Sequence, residues 1–294
     1  MDRKLIRPDS IDEALSERQK YGLDAMPIAG GQSLLVLLRN KLVDPKILID
    51  LERLAELHGL QRQANAISIG AMTTIFTLAS SADVEKAAPL GQAATKVGST
   101  AIRNLGTIGG NVCHNEPGAD LPPSLLALNA VAELRSKNGT RKVPLGEFFR
   151  SYFETVVGPE ELLTRVEVPA LPNGAAGVYL KHAISSEDLA IAGVAVVLIP
   201  DGNGGGGAVR EVRIGLGGVA PVPFRAAKAE RALAGAVLKD EVIREAAEIA
   251  SSEAEPMTDP HASADYRRKM VKVLVRRAIV AAKEQMERKG NGQA

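Results

Sequence analysis

Thr107-Ile108-Gly109-Gly110-Asn111, with Asp120 nine residues on in Ala119-Asp120-Leu121-Pro122-Pro123, is the stretch around which the chain is organised. Two adjacent glycines after a β-branched pair let bare backbone N–H groups approach a ligand where any Cβ would obstruct. Clusters of such N–H groups bind anions, phosphates above all. A second pair, Gly30-Gly31, stands upstream in Ala29-Gly30-Gly31-Gln32-Ser33-Leu34. Either pair alone reads first as a tight turn. Together, each with short polar neighbours (Gln32 and Ser33; Thr107 and Asn111), they also read as two loops closing on one pyrophosphate-bearing cofactor. The tight turn remains the competing reading.

Composition narrows the classes. A chain of 294 residues suits two or three packed units. Its 45% apolar and 24% charged residues are those of an ordinary globular protein. A formal net charge of +1 and 3% aromatics without tryptophan give no case for nucleic acid. No apolar run reaches the roughly 18 residues of a membrane span. Met1-Asp2-Arg3-Lys4 has no apolar core behind it, so a cytoplasmic location is expected. The single cysteine, Cys113, allows neither a disulfide framework nor an iron–sulfur cluster held by this chain alone. Four scattered histidines make no metal site by spacing. Any redox chemistry therefore falls to an organic cofactor.

Residues 5–50 read as strand–helix–strand–helix–strand. Ser10 opens the first helix through a capping box with Glu13, Gly22 ends it, and Ser33 is positioned to cap the second. Strand, glycine turn and helix start in succession is a geometry that holds phosphate oxygens, although the dinucleotide fingerprint is absent. From Ile67 to Pro169 the pattern predicts a strand at Ala66–Gly70, a helix capped by Thr73 or Thr74, and a helix over Ala87–Val97 with Pro89 interrupting its start. Pro122-Pro123 suits a helix first turn, Asn138-Gly139 a hairpin, and Glu161–Val168 a strand. Turn residues at Leu171-Pro172-Asn173-Gly174 mark a boundary. Beyond it come three strands (Gly177–Ala183, Ala190–Ile199, Val209–Leu216) and three helices (Arg225–Leu233, Lys239–Ala250, Ser263–Glu287). The expected units are 1–60, βαβ-like; 61–172; and 173–290, a three-stranded antiparallel sheet with helices. Gly204–Gly207 reads as a linker, since a P-loop ending is missing, and the tail from Gly290 as frayed.

Three further positions have two readings each. Asp120 is either a helix N-cap or an acceptor for a cofactor hydroxyl or ring N–H. Lys181 shares a strand face with Tyr179 and is either solvated or functional. Cys113-His114, placed on a strand, would point to opposite faces and make no catalytic pair.

Ala29–Leu35, Ile102–Asn111, Ala119–Pro122, Glu161–Thr164, Tyr179–Lys181 and Asp265–Arg267, in that order, resemble the FAD-binding medium subunit of the molybdenum hydroxylases. That family includes the flavoprotein subunits of aerobic carbon monoxide dehydrogenase and xanthine-dehydrogenase-like enzymes. The resemblance implies an α+β fold: a vanillyl-alcohol-oxidase-type FAD domain of two subdomains, then a C-terminal domain. It implies non-covalent FAD, with Ala29, Gly30, Gly31, Gln32 and Ser33 and Thr107, Ile108, Gly109, Gly110 and Asn111 about the pyrophosphate. Asp120, Leu163 and Lys181 match further FAD contacts. The implied work is electron transfer within a dimer of heterotrimers. A large subunit carries molybdopterin, a small subunit carries two [2Fe–2S] clusters, and this chain passes electrons to an external acceptor. No general acid or base and no metal ligand is assigned here. The cysteine-bearing insertion of the 4-hydroxybenzoyl-CoA reductase branch is missing, so no [4Fe–4S] centre is expected. Ala183–Asp188 lacks the basic residues that relatives often carry there, which bears on the acceptor. The rival readings are a self-sufficient flavin oxidase and a non-catalytic nucleotide-binding scaffold.

Overall fold

The computed structural model describes residues 3–202 and 208–290, and the glycine run and the tail beyond Gly290 lie outside them. The first unit contains β1 (Lys4–Ile6), α1 (Ile11–Tyr21), β2 (Ala25–Ile28), α2 (Leu34–Arg39) and β3 (Ile47–Asp50). Its sheet has the order β1-β3-β2 and is parallel throughout, as two helical crossovers require. Ser10 caps α1 by accepting the Glu13 N–H at 3.1 Å, while the Glu13 carboxylate reaches back to the Asp9 N–H rather than to Ser10. Ser33 makes no cap bond, because its own backbone is already helical.

The second unit begins with β4 (Leu60–Arg62) and β5 (Ala66–Gly70). Helices α3 (Ile75–Ser80), α4 (Ala82–Lys86), α5 (Ala88–Lys96), α6 (Thr100–Leu105), α7 (Ile108–His114) and α8 (Leu121–Ala127) follow. The chain returns through β6 (Val131–Ser136), β7 (Gly139–Pro144), the short pair β8 (Phe149–Ser151) and β9 (Glu154–Thr155), and β10 (Leu162–Pro169). The antiparallel sheet order is β4-β5-β10-β6-β7, with Gly139 closing the expected hairpin. Thr74, not Thr73, caps α3. Pro89 lies in the first turn of α5, where its missing N–H costs nothing, so it starts that helix instead of interrupting it.

The last unit is built from β11 (Ala176–His182), β12 (Ala192–Pro200), β13 (Val209–Gly217), β14 (Phe224–Arg225), α9 (Ala227–Leu233), α10 (Asp240–Glu253) and α11 (Ala264–Gly290). The sheet has four strands, not three. Arg225 belongs to the added strand β14, and its guanidinium ties Glu230 and Asn129, so α9 starts two residues later than its apolar pattern suggests. β12 explains how this unit joins the others. Val194, Val196 and Leu198 enter the core beneath α10 and α11, while Ala195, Val197 and Ile199 enter the core of the second unit. Burial on both faces accounts for an unbroken apolar strand. Gly215 permits the close approach, since a Cβ there would stand 2.0 Å from the Pro123 carbonyl oxygen in α8. Among the described residues no helix is long and apolar enough to cross a membrane.

Candidate functional site: a two-sided cradle and a buried charged cluster

The two glycine segments meet. A Cβ on Gly30 would fall 1.7 Å from the Leu105 carbonyl oxygen, and one on Gly106 would lie 3.8 Å from Gln32 Cγ. One built on Gly110 would be 3.9 Å from Ala29 Cβ. Ala29–Ser33 and Thr107–Asn111, contributed by different units, therefore form one cradle.

The four glycines do different jobs. Gly30 and Gly109 give up their Cβ to protein packing, since a Cβ on Gly109 would sit 2.7 Å from Ala71. Gly31 has φ +70°, a backbone that a side chain would strain. A Cβ on Gly110 would crowd Thr107 Oγ1 at 3.1 Å and would otherwise meet only Ala29 Cβ, at 3.9 Å across the cradle.

The second glycine pair is not a loop. Gly109 and Gly110 lie in the first turn of α7, whose N-cap is Thr107, and Thr107 Oγ1 accepts the Gly110 N–H at 3.0 Å. The N–H groups of Ile108, Gly109 and Asn111 are bonded to the carbonyls of Thr73, Ala71 and Thr107. Bare N–H groups are instead supplied by the other wall. Among the described residues the backbone N–H groups of Gly30, Gly31, Gln32 and Ser33 meet no protein acceptor. Asn111 adds a side-chain oxygen, Oδ1, that is buried without a partner. Buried polar atoms are almost always paired, so a ligand hydroxyl or N–H belongs opposite it. Anion-binding N–H groups on one wall and an orphaned acceptor on the other fit a phosphorylated polyol such as the pyrophosphate and ribityl portion of FAD.

Asp120 stands at the N-cap of α8 yet makes no cap bond. Its carboxylate turns to β11, accepting from Tyr179 Oη at 2.6 Å and from Lys181 Nζ at 2.9 Å. Lys181 Nζ also donates to the Lys96 carbonyl at 3.0 Å. The side chains of Asp120 and Lys181 are only 3% and 5% exposed, so Lys181 is not the solvated strand lysine its position suggests. Burial pushes the Asp120 carboxyl up to about 6, against the lowering pull of Lys181, Tyr179 and Lys96. Burial, with the Asp120 charge, also pushes the Tyr179 phenol well up. Tyr179 is the participant that the sequence singles out only as a face-mate of Lys181.

Leu163 is buried in the β10 segment of the second unit's core. It is linked to the cradle through Thr164, whose carbonyl accepts the Ala71 N–H, while the Ala71 carbonyl accepts from Gly109. Cys113 and His114 lie in α7, so strand geometry does not separate them. Burial pushes the Cys113 thiol up to about 12 and holds the His114 imidazole below its usual range. A thiol so hard to ionise is no nucleophile. Among the described residues no group of three metal-ligating side chains occurs.

Comparisons with known proteins give the family. Residues 1–171 match the FAD-binding domain in molybdopterin dehydrogenase, and residues 178–282 match the carbon monoxide dehydrogenase flavoprotein C-terminal domain. The glyceraldehyde dehydrogenase medium chain of Sulfolobus acidocaldarius is 37% identical over 93% of this chain and 96% of its own. The carbon monoxide dehydrogenase medium chain of Hydrogenophaga pseudoflava is 36% identical, over 94% of this chain and 95% of its own. A structure of carbon monoxide dehydrogenase from Hydrogenophaga pseudoflava superimposes with a TM-score of 0.93, covering 97% of this chain and 98% of that one. Quinoline 2-oxidoreductase from Pseudomonas putida gives 0.91 at 32% identity, covering 98% and 99%. Two matched domains, a cradle suited to FAD and identity above one third along almost the whole length lead to one conclusion: the chain belongs to the FAD-binding medium subunits of the molybdenum hydroxylase family of oxidoreductases.

Proposed function

We propose that this chain is the electron-transfer subunit of a heterotrimeric molybdenum hydroxylase. It would receive electrons from [2Fe–2S] clusters on a small subunit, downstream of a molybdopterin site on a large one, and deliver them through non-covalent FAD to an external acceptor. The observation that carries the reading is the cradle between Ala29–Ser33 and Thr107–Asn111, with its unmatched N–H groups and the orphaned Asn111 Oδ1. The lone cysteine supports the division of labour, because this chain cannot ligate the clusters itself.

When bound, FAD supplies the exchange between two-electron and one-electron chemistry. The chain's residues hold and orient it. Gly30, Gly31, Gln32 and Ser33 would donate backbone N–H groups to the pyrophosphate, and Ala29, Thr107, Ile108, Gly109 and Gly110 would shape the space. Asn111 would accept from a hydroxyl. Asp120, Lys181 and Leu163, which match FAD contacts of the family, would support the cofactor from the second and third units, Asp120 and Lys181 as a buried charged pair and Leu163 as an apolar side chain.

An absorption spectrum of the purified chain tests the reading. Bands near ~450 nm that survive dialysis, and a chromophore released by acid denaturation and filtration, are expected for non-covalent flavin. A colourless chain that rejects added FAD would sink it. The self-sufficient oxidase has no observation in its favour, since no general base is nominated beside the cradle.

A further inference from the structure

The turn between β8 and β9 holds a bulky residue on a strained backbone. Phe153 has φ +57°, a region that large side chains rarely enter. Asn115 keeps it there. Fully buried and itself left-handed at φ +48°, Asn115 donates through Nδ2 to the Ser151 and Glu154 carbonyls at 2.7 and 2.9 Å. Its own carbonyl accepts the Phe153 N–H. Burial does not offset the strain, since Phe153 stays 55% exposed, with the His114 ring beside it at 5.3 Å. Strain of this kind collects at ligand clamps and other functional positions. Phe153 and Tyr152 line a cavity of about 520 Å³, within the range of small-ligand pockets. The cavity lies at the seam of the second and third units, where the Ala190 N–H donates to the Gly118 carbonyl at 3.0 Å. Glu116, also in its wall, follows the residue that ends α7, and the first turn of α7 belongs to the cradle. The seven residues of α7 rise about 10 Å, so the cavity stands at the far end of that helix from the cradle.

We propose that this cavity binds a neutral quinone as the external acceptor of the relay. Charge selects against an anionic acceptor. Glu116, Asp188 and Asp259 all line the cavity, and among the described residues Arg267 is the sole Arg or Lys in its wall. Arg267 is already committed to Asp259 at 2.6 Å. Glu116 and Asp188, among the described residues, accept only from the backbone N–H groups of Gly118 and Ser185. Burial raises the Glu116 carboxyl above its ordinary value, and an anion beside it would raise it further. The phosphates of a nicotinamide dinucleotide therefore find no free cation here. A cationic dye would suit the carboxylates but not Arg267, whose side chain is 8% exposed and whose Nε is buried without an acceptor. That donor calls for a ligand oxygen. A quinone brings a flat apolar ring for Phe153 to stack on and a carbonyl oxygen that carries no charge. Leu189 and Met257, both exposed, extend the apolar wall. On reduction the quinone takes two electrons from the relay and two protons from solvent, and each carbonyl becomes a hydroxyl. The inference rests on the reading of the chain as an electron-transfer subunit.

Titration calorimetry on the full FAD-loaded chain, held oxidised, tests binding without turnover. Menadione should bind, and 1,4-naphthoquinone-2-sulfonate, a like ring with one negative charge, should bind at least about tenfold more weakly. Glu116→Gln/Asp188→Asn should remove that preference. Phe153→Gly relieves the backbone strain, so it should hold or raise the melting temperature while weakening menadione at least about tenfold. Stopped-flow reoxidation of the reduced chain by menadione should slow by a similar factor in that variant. Equal binding of the two naphthoquinones, full menadione affinity in F153G, or unchanged reoxidation would overturn the proposal. So would NADH binding more tightly than menadione. Displacement of menadione from the FAD-free chain by added FAD would also overturn it, by giving the cavity to the cofactor. A chain that binds menadione with this selectivity yet rejects FAD would sink the FAD reading and leave the quinone site standing. A chain that retains FAD and binds no menadione would do the reverse.

Discussion

The cluster of Asp120, Tyr179 and Lys181 gives a prediction whose size and pH dependence both follow from geometry. Tyr179 Oη donates to Asp120 at 2.6 Å inside a site from which water is excluded. A hydrogen bond to a charged acceptor is worth about 1.5–3 kcal/mol, so Tyr179→Phe should cost that much where Asp120 is ionised. Burial lifts the Asp120 carboxyl from 3.8 to about 6. At about 1.4 kcal/mol per pH unit this is a stability difference of about 3 kcal/mol. Because the folded value is raised, that contribution is complete below about 3.8 and is lost as pH rises through about 6. The hydroxyl is among the groups that hold the value down, so its removal moves the folded value higher still. Tyr179→Phe should therefore destabilise the chain more at pH 8 than at pH 5.

Gly193 sharpens the test. A Cβ there would stand 2.7 Å from Tyr179 Oη but 3.5 Å from the nearest ring carbons. Gly193→Ala should push the hydroxyl off Asp120 and cost about 1–3 kcal/mol, the usual range for overpacking. In the Tyr179→Phe background the same methyl would meet only ordinary contacts. Urea denaturation of the FAD-free chain at both pH values, run as a double-mutant cycle, should give a coupling of at least about 1 kcal/mol. Additive costs, or equal Tyr179→Phe costs at the two pH values, would refute the reasoning.

Other outcomes separate cradle from scaffold. Gly110→Val should abolish flavin retention and, by crowding the Thr107 Oγ1 cap 3.1 Å away, lower the melting temperature slightly, whereas Gly30→Ala, meeting the Leu105 carbonyl at 1.7 Å, should lower it much further with or without FAD. Thr107→Ala removes the α7 cap and should cost about 1 kcal/mol in denaturant. Arg267, which donates to the Ile191 and Gly218 carbonyls and to Asp259, should cost about 2–4 kcal/mol on replacement by Met. Its hydrogen bonds hold the Asp259 carboxyl down at about 2, so the stability that Asp259 contributes is present above 3.8 and lost as pH falls toward 2. Arg267→Met should flatten that acid limb. Cys113, with its thiol pushed up to about 12, should resist a disulfide reagent at pH 8 until the chain is unfolded.

Local sequence determined a great deal here, because local physics sufficed. The strand–helix alternation of residues 4–50, the hairpin at Asn138-Gly139 and the capping of α1 by Ser10 follow from periodicity and turn chemistry that neighbours a few residues apart decide. The ordered motifs from Ala29 to Arg267 were enough to place the chain in its family. What the glycines are for was not local. Gly30 and Gly109 look like ligand-facing residues and prove to be packing residues, because Leu105 and Ala71, distant in sequence, fill the space a Cβ would need. Asp120 has the sequence of a helix cap, yet a lysine and a tyrosine sixty residues away compete for its carboxylate and win inside a dry site. Helix α2 likewise reads as core in the string, yet none of its residues is buried. Periodicity reports which residues lie on one side of an element, but only the tertiary structure decides what, if anything, stands opposite that side.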